Sequence, residues 1–152
     1  SQESDVVRNA NQSPKNPLEL ITEDGNILSD TRYHFVLNIT GGVAEPVILT
    51  MKSSQIKKSR AWMTRMQNLT LKRKDGTSFR APMFSHIWTL STVQESNDRG
   101  SWFGFKLEGE PELIKDEETF QSAQNFRDMA MSGDAKISGD PNAPVSESSE
   151  KF

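Results

Sequence analysis

The 152-residue sequence predicts a mainly β, α+β domain, with small antiparallel strands forming a partly open barrel, one inserted helix and a C-terminal helix. Three observations predict it. Strand-like alternation of apolar and polar residues recurs in five or six short runs. The breaks between the runs are rich in Gly, Asn and Asp, which favours hairpins over the long crossovers of a parallel sheet. Helical periodicity follows the second run and again the last.

Residues 1–18 (SQESDVVRNANQSPKNPL) are polar and hold two prolines, so they are expected to form an irregular arm before a domain spanning 19–132. A turn at Glu23-Asp24-Gly25-Asn26 precedes the run at 32–40. There Tyr33, Phe35 and Leu37 fall on one face of a strand, and His34, Val36 and Asn38 on the other. Gly41-Gly42 breaks it, and residues 46–52 (PVILTMK) form a near-continuous apolar strand that completes a hairpin. Its edge offers a pairing site for a second copy, and hence a homodimer.

Residues 53–69 read as a helix capped by Ser53 or Ser54, with Ile56, Met63 and Met66 or Leu69 at helical spacing. Lys57, Lys58 and Arg65 then point largely to solvent. Two short runs at 69–74 and 77–81 flank Asp75-Gly76, a tight-turn pair. Strands at 83–93 and 101–107 follow, joined through Asn97-Asp98-Arg99-Gly100. In the second of these Phe103, Phe105 and Leu107 share a face, opposite Trp102, Gly104 and Lys106. Residues 116–131 form an amphipathic helix with acids in its first turn and Gly133 behind it. The segment 133–152 is rich in Ser, Asp, Pro and Glu, a weakly acidic tail expected to be disordered, ending on Phe152.

Charge is distributed unevenly. Between residues 51 and 80 nine cations (Lys52, Lys57, Lys58, Arg60, Arg65, Lys72, Arg73, Lys74, Arg80) face one acid, Asp75, although the whole chain carries −3. Clustered Lys and Arg are the electrostatic footprint of a polyanion site. Single-stranded nucleic acid also asks for aromatic faces on which unstacked bases lie. Trp88 and Trp102 are the candidates, with Lys106 beside Trp102 by alternation, while Trp62 next to Met66 reads as core. The bland reading competes throughout: lysines on a helix are commonly a solvated face, and tryptophans are commonly core.

Enzyme chemistry is not indicated. His34 and His86 lie in strand-like runs without metal-ligand spacing, and no phosphate-binding glycine loop, nucleophile elbow or carboxylate metal loop occurs. The chain has no cysteine, so thiolate metals and disulfides are excluded. No metal or cofactor is expected. No run resembles a signal peptide or a membrane span.

The stretch Met51-Lys52-Ser53-Ser54-Gln55-Ile56-Lys57-Lys58-Ser59-Arg60 with Trp62 resembles a motif of a family of tailed-phage early-region proteins. So do Trp88-Thr89-Leu90, Glu95-Ser96-Asn97 and Gly100-Ser101-Trp102-Phe103, in that order, within a resemblance covering roughly residues 30–130. Those proteins are described as single-stranded DNA-binding proteins. The resemblance implies an OB-like barrel, sequence-independent strand binding in phage replication or recombination, and the host-cell cytoplasm. It also implies a substantial N-terminal part upstream of Ser1. Strand-binding proteins that end on an acidic tail closed by phenylalanine use it to recruit replication proteins, which makes Phe152 the partner-binding candidate. The expected function is therefore a phage single-stranded DNA-binding protein. The rival is a phage interaction or virion protein whose basic patch binds an acidic protein partner.

Overall fold

The computed structural model describes residues 5–15 and 19–133. Part of the arm expected to be irregular has regular structure: helix α1 (Asp5–Arg8) and strand β1 (Asn11–Gln12), which joins β2 (Leu20–Ile21) and β3 (Ile27–Leu28) in a small antiparallel meander. Each of the remaining strands belongs to a hairpin. β4 (Thr31–Asn38) pairs with β5 (Glu45–Lys52), β6 (Thr70–Lys72) with β7 (Ser78–Arg80), and β8 (His86–Asn97) with β9 (Gly100–Leu113). Helix α2 (Gln55–Asn68) stands between the first two hairpins in sequence, and α3 (Glu117–Ser132) ends the described fold. The architecture is mainly β with small antiparallel sheets. Among the described residues these sheets remain separate, so the expected barrel closure is not seen.

Local chemistry explains the elements. Asp116 caps α3 by accepting the Thr119 N–H at 2.9 Å, and Gly133 closes it with φ +80°, a left-handed value that favours glycine. Asp75 holds the β6–β7 turn, its Oδ1 accepting from the Thr77 N–H and hydroxyl, while Gly76 takes φ +85°. β8 and β9 run longer than their sequence patterns indicate. Their register shifts between Ile87 and Thr89, where Gly109, Glu110 and Pro111 bulge out of β9. Pro111 has no N–H to give a ladder, and Gly109 adopts φ +60°.

The core sits where α2 meets the inner faces of two hairpins. Met51, Trp62 and Met66, at 2, 4 and 7 % exposure, form its centre, with Val36, Leu49, Met63, Trp88, Leu90, Phe105 and Leu107 packed around them. Trp62 meets Trp88 edge-on at 6.1 Å and His34 at 4.9 Å. The expected stripe of α2 is rotated. Gln55, Ser59, Trp62 and Met66 are its buried residues, whereas Ile56 and Met63 lie only partly covered. The spacing i, i+4, i+7, i+11 is helical, but two of the four residues are polar, and each is satisfied internally.

Candidate nucleic-acid interface

The first turn of α2 lies along one edge of β9. Gln55 Oε1 accepts the Phe105 N–H at 2.9 Å, and Lys58 Nζ donates to the Phe105 carbonyl at 2.9 Å. Two side chains thus take the place of a neighbouring strand. Glu95, reaching across from β8, gathers three donors: Lys58 Nζ, Gln55 Nε2 at 3.0 Å and Trp102 Nε1 at 3.0 Å. Bonding from Lys58 holds the Glu95 carboxyl below its ordinary range, helped by Trp102 and Gln55 and opposed by partial desolvation. Gln55 and Glu95 bury Gly104 here, and a Cβ at that position would collide with Gln55 Nε2 and Glu95 Oε2.

Arg65, two turns along α2, docks on the β9 bulge. Its guanidinium donates to the Gly109 carbonyl and to Glu110 Oε2, both at 3.2 Å, and lies 5.2 Å from the Trp88 ring centroid. Lys106 pairs with Glu108 at 3.1 Å, and Glu108 also accepts from the Ser91 hydroxyl. Between these groups, α2 and β9 enclose an apolar cleft of about 260 Å³, walled by Met51, Trp62, Leu90, Phe105 and Leu107 together with Lys58, Arg65 and Lys106. Each of those three cations already holds a carboxylate, so the cleft carries little free positive charge.

The expected groove is therefore divided. Lys58 and Arg65 were expected to point to solvent; both are partly buried and bonded to strands. Trp88 and Trp102 were expected to offer stacking faces. Trp88 is part-buried under Arg65 and against Trp62, and Trp102 spends its N–H on Glu95. Arg60 sits 4.0 Å from Asp30 at the exposed surface, a contact worth little. Arg73 stacks on Phe79 at 4.6 Å within its own hairpin.

Lys52, Lys57, Lys72, Lys74 and Arg80 are exposed, and like Arg73 none of them forms an ion pair among the described residues. The β6–β7 register sets Lys72 opposite Ser78 and Arg80 opposite Thr70, so the two cations share one face with two hydroxyls. Leu71 and Phe79, half-buried, occupy the other face. Lys74 extends the charge into the turn. Lys57 lies on the opposite side of α2 from its buried stripe, near the helix start, and about 18 Å of helix separates it from Leu69 at the hairpin base. Free positive charge thus lies near both ends of α2.

The histidines sit in structural settings. His34 Nε2 contacts Ser59 Oγ at 2.8 Å, and His86 Nδ1 contacts Ser85 Oγ at 2.7 Å, and both serines are buried. Burial, and secondarily Arg32, holds His34 below its ordinary range; burial does the same for His86. Among the described residues no cluster of three His, Asp or Glu could hold a metal ion, and no helix is long and apolar enough to cross a membrane. Phe152 and the tail beyond Gly133 lie outside the described residues.

Sequence reasoning missed the exposed rings of Tyr33 and Phe35, whose alternation was legible but whose direction was not. No curated protein and no solved structure matches the chain. A family model described as Pam3 phage gp34-like protein matches residues 1–136, nearly all of the sequence, and the chain belongs to that phage protein family.

Proposed function

We propose that this phage protein binds single-stranded DNA without sequence preference, in replication or recombination. One observation carries the reading: between residues 51 and 80 six exposed cations lack a carboxylate partner among the described residues, and four of them (Lys72, Arg73, Lys74 and Arg80) lie on one hairpin, in a chain of net charge −3. Free cations release counterions from phosphates on binding; cations already paired must first give up their carboxylates. The β6–β7 hairpin is accordingly the main phosphate contact, with Lys52 and Lys57 as a second point. A closed OB-like barrel is not required, since open sheet faces also hold single strands. The tail ending on Phe152 is assigned the recruitment of replication proteins.

Anisotropy of labelled oligo-dT across a salt series tests this. Affinity should fall as salt rises, and Lys72→Ala, Lys74→Ala and Arg80→Ala together should flatten the log–log slope by about 2, at roughly 0.7 per phosphate. No binding at low salt overturns the reading. Equal affinity for oligo-dT and a polyglutamate peptide would favour the rival reading of an acidic protein partner.

A further inference from the structure

The register of β4–β5 assigns its side chains to two faces. Arg32 opposite Met51, His34 opposite Leu49 and Val36 opposite Val47 form one of them. It is the face that meets α2, since Met51 is core, the His34 ring lies tilted against Trp62, and Val36 and Leu49 pack against the same centre. The other face sets Thr31 opposite Lys52, Tyr33 opposite Thr50 and Phe35 opposite Ile48. Tyr33 and Phe35 stay 44 and 45 % exposed there, although α3 approaches β4. From Thr31 to Leu37 and from Pro46 to Lys52, that face contains no carboxylate.

Resting on the single-strand reading above, we infer that this face is the base-stacking platform: Tyr33 and Phe35 each take one base, and Lys52 takes a phosphate beside them. Residues two apart on a strand lie about 6.5–7 Å apart, roughly twice the 3.4 Å rise between bases along one strand of a duplex. Bases seated on successive rings are therefore unstacked from each other. A single strand supplies that spacing and a duplex does not. Lys52 is the diagonal cross-strand neighbour of Tyr33, about 7–8 Å away between backbones, within reach of a long side chain. Lys52 also has no carboxylate partner among the described residues, so its charge is available.

Other aromatic groups serve less well. Trp62 is core, Trp88 is covered by Arg65, and Trp102 is half-buried, with its ring edge fixed to Glu95. Phe103, at 73 % exposure, sits opposite Gln94 with neither a second exposed ring nor a cation beside it. The β4–β5 face alone, among the described residues, combines two exposed rings on one strand with a free cation and no acid.

The experiment compares labelled oligo-dT with an abasic oligonucleotide of equal length, using the full chain. Stacking on an aromatic ring is worth about 1–3 kcal/mol per base, or roughly fivefold to 150-fold in affinity. Tyr33→Ala with Phe35→Ala should weaken oligo-dT binding at least about 25-fold while leaving the salt slope unchanged. The ring-preserving pair Tyr33→Phe with Phe35→Tyr should keep the affinity, which separates stacking from a folding defect. Wild type should prefer oligo-dT to the abasic strand, and the alanine pair should not. Failure of wild type to bind either strand overturns the parent reading. Wild-type binding that the alanine pair matches on oligo-dT overturns the platform alone.

Discussion

The joint between α2 and the β8–β9 ribbon uses the same residue types as the outer faces of the two shorter hairpins, to opposite ends. At the joint, Lys58, Arg65 and Trp102 bond to Glu95, Glu110 and the Phe105 and Gly109 carbonyls. On the outer faces, Lys52, Lys72, Lys74 and Arg80 have no acid partner among the described residues, and Tyr33 and Phe35 show nearly half their surface to solvent. A cation's meaning lies in its neighbours. At the joint charge holds elements together, and on the outer faces it remains available to something else.

Substitutions can break or sharpen that contrast. The largest effect is expected from Trp62→Ala, which empties the centre of the joint and should cost about 3–5 kcal/mol by urea unfolding. Gly104→Ala comes next, at about 1–3 kcal/mol, because its methyl group must displace Gln55 or Glu95. If Gly104→Ala unfolds at the wild-type midpoint, the joint is looser than its bonding implies.

Acid should act on the same region. Glu95 has a lowered pKa in the fold, so the unfolded chain binds its proton more readily. The stabilisation is complete above the ordinary Glu range and fades as pH falls through the lower folded value. His34 also titrates low, so protonation favours the unfolded chain and stability should decline as pH drops below 6.5. A His34→Gln variant should flatten the melting profile between pH 7.5 and 5.5, and an unchanged slope would exclude His34 as its source. The smallest stability effect belongs to the outer faces. The Lys72, Lys74 and Arg80 alanine triple should melt like wild type while changing the salt response, and a lowered midpoint would move that hairpin into the structural group.

Much of the secondary structure was legible because turns and caps are local. Asp75-Gly76, Asp116 and Gly133 act within three residues of where they stand. The rotation of α2 was not legible, since a hydrophobic stripe through Ile56 and Met63 is blind to Gln55 and Ser59, which are buried for their hydrogen bonds. Nor was the fate of Lys58 and Arg65, whose carboxylates lie 37 and 45 residues away in sequence. Alternation placed Tyr33 with Phe35 but could not say which face of β4 the helix would cover. The stretches that carry the phage-family resemblance, Met51 to Arg60 with Trp62 and Glu95 to Phe103, supply much of the joint. That resemblance therefore speaks for a shared scaffold more directly than for a shared binding surface.

The Gln55 and Lys58 bonds to Phe105 also bear on colloidal behaviour. They occupy a donor and an acceptor that another polypeptide would need in order to extend the ribbon sideways. With Gln55→Ala and Lys58→Ala together, that strip of backbone opens, and light scattering during storage should report growing assemblies that wild type does not form.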